Sequence, residues 1–308
     1  MPTSHWTNQS SSSSAHSPTG SHKLNLRGWW KAVHSLLRAP VIVARDTFRY
    51  FAFPFARFRG VYANFPQARA AVSWKKRIGY DHADLAHRYA AELCLSLDNS
   101  EYPVLYHLDR LVSDNCTVLD FGGNIGVHYL RYRQAVDLKN VRWIVCDLPE
   151  ITKVGRQICA GMSNVVFVND IDEIDAPAVD IFMASDSLQY VESSNLLLPR
   201  LIDRGLRPRH VLIDHLPLYD GPQFVTLQNG GLVRYPQYVF NRDAYLSRMR
   251  QLGYELVNFW DCRDFSCNIP FHPKKSVRAY SGLCFRTVLN KPQKAHQPAL
   301  GSPDGADA

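Results

Sequence analysis

The stretch T-V-L-D-F-G-G-N-I-G, Thr117 to Gly126, decides the fold. An apolar strand runs into a glycine-rich turn and then into a helix, a geometry in which backbone comes close to a ligand and a helix N-terminus offers free N–H groups. A dinucleotide fingerprint would space its glycines G-x-G-x-x-G. Here they fall at Gly122, Gly123 and Gly126, with Asp120 two residues ahead of the first. A carboxylate at that strand end would repel a pyrophosphate but accepts from an ammonium group, so the pattern favours a nucleoside carrying an amino acid. An ordinary strand–turn–helix with no ligand is the competing reading.

A second acid sharpens the first. Asp147 closes the next strand in W-I-V-C-D-L-P-E, 21 residues after Gly126, where a carboxylate is expected to hold two ribose hydroxyls. A helix cap is the plainer alternative. Asp170 follows a third strand in V-V-F-V-N-D and is expected near the adenine edge, with capping as its alternative role.

Outward from this centre, short β-branched runs alternate with helical stretches, which indicates βαβ units and a mostly parallel sheet. Strands are expected over Thr117–Phe121, Arg142–Cys146, Val165–Val168, Val179–Ala184, His210–Asp214, Glu255–Trp260 and Leu283–Leu289. Helices are expected over Val127–Ala135, Ile151–Ala160, Asn195–Arg204 and Arg242–Leu252. A long irregular loop joins the last two strands and implies an antiparallel closing pair. The fold class is therefore α/β, a Rossmann-like seven-stranded sheet over residues 111–290 that resembles the methyltransferase version of the doubly wound fold. Residues 23–110 read as a helical cap, broken at Pro40, Pro54 and Pro66. The Ser-rich segment 1–22 and the Pro/Gly-biased segment 291–308 read as disordered tails.

The motif D-x-G-x-G-x-G of class I methyltransferases is matched at Asp120, Gly122 and Gly126, with Asn124 at the middle glycine. Asn tolerates left-handed backbone better than other non-glycine residues. The D-L-P of Asp147–Pro149 looks like the second-strand motif of small-molecule O-methyltransferases. G-V-Y-A-N-F (Gly60–Phe65), G-Y-D (Gly79–Asp81), S-L-Q-Y (Ser187–Tyr190), F-V-T-L-Q-N (Phe224–Asn229) and Y-S-G-L-C-F-R (Tyr280–Arg286) resemble a poorly characterised bacterial family of class I S-adenosylmethionine-dependent methyltransferases, often linked with surface-polysaccharide gene clusters. The resemblance implies S-adenosylmethionine as cofactor, held through Asp120, Gly122, Gly123, Asn124, Gly126, Asp147 and Asp170. Transfer to an oxygen of a small or carbohydrate-linked acceptor is the expected reaction. A nicotinamide-dependent oxidoreductase and a non-catalytic binding protein on the same fold are the rival readings.

The aromatic O-methyltransferases carry a catalytic His just after the fourth strand, but here that stretch reads M-A-S-D-S-L-Q-Y-V-E. His215, in V-L-I-D-H-L-P-L, follows the fifth strand on the ligand-binding edge and is the candidate base, since an imidazole titrates near operating pH. A structural histidine is the alternative. Gln189, Tyr190, Gln228 and Asn229 are neutral hydrogen-bonding groups suited to orienting a sugar-like acceptor.

The net charge of +7 sits wholly before Val61, where eight Lys and Arg face the single Asp46. The body is neutral, which argues against nucleic acid as partner. Cations interleave with aromatics from Leu24 to Gly60, including Trp29 and Trp30, so this segment is expected either to meet an anionic membrane surface or to cover the α/β body. Seven cysteines form no C-x-x-C pair, the usage of a reducing compartment, and no His stands at zinc-like spacing from Cys262 and Cys267, so no metal is expected. With no signal peptide and no membrane span in the pattern, the expected location is the cytoplasm, with peripheral contact at the inner face of the membrane if the basic segment takes the first of its two alternatives.

Overall fold

A computed structural model describes residues 40–41, 43–48, 57–72, 81–230 and 234–288. Of the unit Met1–Arg45 only residues 40, 41 and 43–45 are described, and they are helical. Both tails, Trp29, Trp30 and most of the basic aromatic segment lie outside the described residues. No helix among them is long and apolar enough to cross a membrane.

The unit Asp46–Ala308 contains strands β1 (Phe58–Tyr62), β2 (Thr117–Phe121), β3 (Arg142–Cys146), β4 (Val165–Val168), β5 (Ile181–Ser185), β6 (His210–Leu216), β7 (Leu218–Tyr219), β8 (Phe224–Asn229), β9 (Arg234–Asn241), β10 (Tyr254–Cys262) and β11 (Tyr280–Thr287). Its helices are α1 (Phe65–Ala70), α2 (Ala83–Ala91), α3 (Tyr102–Leu111), α4 (Val127–Tyr132), α5 (Pro149–Ile158), α6 (Leu197–Asp203) and α7 (Arg242–Gln251). The main sheet has seven strands in the order β10-β11-β6-β5-β2-β3-β4. Strands β4, β3, β2, β5 and β6 run parallel, and β11 is antiparallel to both β6 and β10. This is the expected Rossmann-like seven-stranded sheet with its antiparallel closing pair.

Both faces of the central strands are apolar because helices cover both. Val118, Trp143, Val145, Ile181, Met183 and Leu212 bury one face with α3 and α4, while Leu119, Ile144, Phe182, Ala184, Val211 and Ile213 bury the other with α6 and α7. Each large side chain sealed this way contributes about 1.5–3 kcal/mol. The order of β2 between β3 and β5 makes the carboxyl ends of those three strands the switch point where an open α/β sheet binds ligands.

Two features depart from expectation. Residues 58–62, read as part of a helical cap, form β1, because F-R-G-V-Y pairs antiparallel with β8. F-V-T-L-Q-N is β8 itself, and with β1, β9 and β7 it forms a second, four-stranded sheet. The α/β domain therefore takes its second sheet partly from the region assigned to the cap. Elsewhere the strands lie within a few residues of their expected bounds, β6 running two residues further, through His215 and Leu216.

That extension carries a bulge. Leu283 pairs with Ile213 but Ser281 pairs with Leu216, so Asp214 and His215 together face Gly282, and His215 takes a left-handed φ of 55°. Gly282 also pairs with Trp260, whose indole lies where a Cβ on Gly282 would sit. Because a half-buried indole held by its bond to Asp214 cannot swing aside like the end of a flexible chain, Gly282→Ala is expected to destabilise the protein by about 1–3 kcal/mol through overpacking. Urea unfolding measures this; an unchanged midpoint would show that the β10–β11 pair yields.

Candidate functional site

At the end of β2 the chain turns on residues in left-handed backbone. Gly122 has φ 72°, Asn124 φ 56° and Gly126 φ 88°. Asparagine thus takes a glycine conformation, and its side chain supports the turn, Oδ1 accepting from the Ile125 N–H at 2.7 Å. A Cβ on Gly122 would run into Ser187, and one on Gly123 into the Asp120 carboxylate. Gly126, also left-handed, is the N-cap of α4.

Asp147, just past β3, closes the turn from the neighbouring strand. Its Oδ2 accepts from the Asn124 N–H at 2.7 Å and its Oδ1 from the Leu148 N–H at 2.7 Å. Burial raises this carboxyl to about 6, against the lowering effect of those two donors. Each oxygen keeps a further lone pair, and the side chain remains partly accessible.

Asp120 lies elsewhere than the spacing suggests. It is fully buried, its oxygens 3.0 and 3.1 Å from His128 Nδ1 on α4 and Oδ2 accepting from the Trp143 indole at 3.2 Å. Burial opposes protonation of His128, but the adjacent Asp120 outweighs it and the histidine's pKa is raised. The pair pins α4 beneath the turn. Asp170 caps the 3-10 turn Ile171–Glu173 by accepting from the Asp172 N–H at 2.9 Å, and pairs with Arg200 at 2.7 Å. Its neighbour Asn169 reaches inward, donating to the Asp147 carbonyl at 2.9 Å.

Beyond this turn, β5 ends at Ser185 and the next residues form a polar cluster. Gln189 Nε2 donates to Asp186 Oδ1 at 2.5 Å, and the Tyr190 hydroxyl donates to Gln228 Oε1 of β8 at 2.5 Å. The structure thus joins Gln189, Tyr190 and Gln228, whereas Asn229, one residue on, falls on the other face of the β8–β9 hairpin. Burial lifts the Asp186 carboxyl to about 7, against the lowering effects of Arg57 and Gln189. From α2, Tyr89 faces the same space, pushed up to about 12 by burial and by the carboxylates of Asp147 and Asp186.

His215 is buried, with Nδ1 3.1 Å from Ser185 Oγ and its ring 3.9 Å from that of Phe265. Burial lowers it to about 4. Asp214, raised to about 6 by burial, accepts from the Cys262 thiol at 3.0 Å and the Trp260 indole at 3.1 Å. Asp214, His215 and Cys262 bring possible metal-ligating atoms within 4.8 Å of one another; the thiol and indole bonds go to Asp214 Oδ1, while Asp214 Oδ2 and His215 Nε2 have no hydrogen-bond partner among the described residues. A separate cavity of about 320 Å³ lies on the opposite face of the sheet, against Phe182, Ile213, Tyr245 and Met249.

The sequence assigns no individual role to Asp186, Tyr89, Ser187 or His128. The available signal was a series of acids at strand ends, Asp120, Asp147, Asp186 and Asp214, of which only the first two were used.

No protein-family model and no curated protein matches the sequence. Solved structures are similar in fold. The 1,6-didemethyltoxoflavin-N1-methyltransferase of Burkholderia thailandensis, with bound 1,6-didemethyltoxoflavin and S-adenosylhomocysteine, is 18% identical over 70% of this chain and 93% of its own, with a TM-score of 0.45. An S-adenosylmethionine-dependent methyltransferase of Aquifex aeolicus is 15% identical over 67% and 99%, at 0.44. An O-methyltransferase family 2 protein of Planctomyces limnophilus in complex with apigenin is 14% identical over 68% and 62%, at 0.42. At these identities residue roles do not transfer between chains and rest on the geometry above.

The Asp120–His128 pair makes stability pH-dependent. A histidine whose folded pKa is raised gives stability that is complete below its unfolded value of about 6.5 and lost as pH rises through the folded one. His128→Gln should remove that slope from the pH dependence of urea unfolding and cost about 3–5 kcal/mol at about pH 6, since it leaves a buried charge without its partner. Parallel pH profiles for the two proteins would show that His128 is neutral throughout.

Proposed function

We propose that the protein is an S-adenosylmethionine-dependent methyltransferase acting on an oxygen of a small or carbohydrate-linked acceptor. The observation that carries this reading is the Asn124 N–H to Asp147 hydrogen bond, which links a turn of left-handed residues to a carboxylate at the end of the adjacent parallel strand. A nucleoside laid across that junction would find ribose-binding oxygens on Asp147 and close backbone approach at Gly122 and Gly123. The fit rests on features of this chain: the turn conformation is set by residues that tolerate positive φ, and the Asp147 carboxylate has acceptor capacity left for two hydroxyls.

When bound, S-adenosylmethionine supplies a methyl group already activated on a sulfonium. The chain's own residues then have to hold, align and exclude water. Asp147 holds the sugar. Tyr89, carried on α2, covers the space between Asp147 and Asp186, and Ala86 of the same helix anchors it against Ile125, Ile151 and Val154. The Asp81 carboxylate accepts from the Glu150 N–H at 2.9 Å and so fixes the loop ahead of α2 to the start of α5. Gln189, Tyr190 and Gln228 suit the acceptor side.

Calorimetry with S-adenosylhomocysteine tests the reading. The full chain should bind, and Asp147→Ala should weaken Kd tenfold or more, because each hydrogen bond to a charged acceptor is worth roughly 1.5–3 kcal/mol. Asn124→Gly, which retains both the backbone donor and the left-handed conformation, should bind like the wild type. Failure of the wild type to bind, or equal affinity in Asp147→Ala, would overturn the assignment.

A further inference from the structure

We infer that Asp186 takes the proton from a neutral hydroxyl acceptor seated between the end of β5 and the β8–β9 hairpin, with Gln189 and Tyr190 as its positioning residues. The inference rests on the methyl-transfer reading above and adds the base and the acceptor class to it.

Asp186 leaves β5 with φ 47°, a strained conformation for a residue with a Cβ. Its surroundings hold it there. The Asp186 N–H donates to the Asp214 carbonyl at 3.1 Å, and Ser187 Oγ donates to the Phe121 carbonyl at 2.8 Å, so the segment is tied to β6 on one side and β2 on the other. One carboxylate oxygen, Oδ1, is anchored by Gln189 at 2.5 Å, with the Tyr190 hydroxyl at 3.5 Å. Oδ2 receives no hydrogen bond among the described residues, and Asp186 is half-buried, not sealed in the core. An anchored carboxylate with one open oxygen, next to the glycine turn through the Ser187–Gly122 contact, is the arrangement a general base requires.

The groups facing Asp186 come from several elements: Tyr89 on α2, Tyr190 after β5, Asp214 on β6, Tyr280 on β11 and Arg57 ahead of β1. Burial outweighs Arg57 and leaves the carboxyl at about 7, near the operating pH of a base. His215, held near 4 beneath Phe265, is a poor proton acceptor at neutrality. The acceptor class follows from the same charges. Asp147, Asp186 and Asp214 gather at the ends of β3, β5 and β6, so an anionic acceptor would add like charge, whereas a neutral polyol would not. Tyr190, bonded to Gln228 of the second sheet, places a phenol and an amide beside the carboxylate, a surface that recognises hydroxyls. As the acceptor's O–H bond breaks, its proton goes to Asp186 Oδ2 while the oxygen bonds the methyl carbon and the S–C electron pair stays on sulfur.

The test uses the full chain, S-adenosylhomocysteine for binding, and methyl-tritiated S-adenosylmethionine with the methyl glycosides of glucose, galactose and rhamnose as acceptors. Label should pass to at least one glycoside. Asp186→Asn should cut that rate by about 10²–10⁴-fold and abolish the acidic limb of the rate profile near pH 7, with affinity for S-adenosylhomocysteine unchanged. Asp186→Glu should keep a displaced limb. A readout independent of turnover comes from melting. A carboxyl raised in the folded state favours folding at low pH and loses that contribution as pH rises through the folded value, so Asp186→Asn should melt above the wild type at about pH 8, the gap closing towards about pH 4. A wild type that fails to bind S-adenosylhomocysteine would bring down the methyl-transfer reading itself. A wild type that binds it but labels no glycoside, an Asp186→Asn variant of wild-type rate, or one that melts below the wild type at about pH 8, would each overturn the inference.

Discussion

The hydrogen bond from the Asn124 N–H to the Asp147 carboxylate is the constraint on which the site depends. It crosses between the ends of two parallel strands and fixes the turn after β2 relative to β3. The bond forms only because Asn124 accepts a left-handed backbone, which turns its N–H toward β3. Around it, Gly122 leaves room for Ser187 and Gly123 leaves room for Asp120, so the ends of β2, β3 and β5 close into one edge. Loss of the Asn124 conformation would leave Asp147 with its Leu148 donor alone and the edge open.

Charge is distributed unevenly across this edge. Asp120 is satisfied beneath the turn by His128 and Trp143, where it locks α4 to the sheet. Asp147, Asp186 and Asp214 are instead held above their ordinary carboxylate range, mainly by burial. Such groups oppose folding when ionised, and a sheet built for stability alone would carry apolar or amide side chains there. Raised carboxylates along this edge, set against a satisfied one below it, distinguish the proposed binding part of the molecule from the part that supports it.

The parallel sheet was legible because its strands are short apolar runs with helical stretches between them, and β2, β3 and β4 begin and end where Thr117–Phe121, Arg142–Cys146 and Val165–Val168 indicate. The turn and Asp147 were legible because their spacing is local. The second sheet was not: β1 and β8 are more than 160 residues apart, and nothing in F-R-G-V-Y announces a partner that distant. Asp186 was hidden for another reason. Its stretch holds no histidine, and the carboxyl gains a base's character only through burial and through neighbours from α2, β6 and β11, which no spacing encodes. His215 shows the reverse case, since its place on a strand edge suggested a base while the bulge opposite Gly282 turns it into the interior.

Amide hydrogen exchange of the full chain, with and without S-adenosylhomocysteine, tests the central claim most directly because it reports on the backbone that forms the turn. The account predicts slowed exchange in peptides covering Asp120–Val127 and Asp147–Leu148, with the Asn124 amide among the most protected, and little change along β10. Protection confined to other parts of the sheet, or none at saturating ligand, would contradict it.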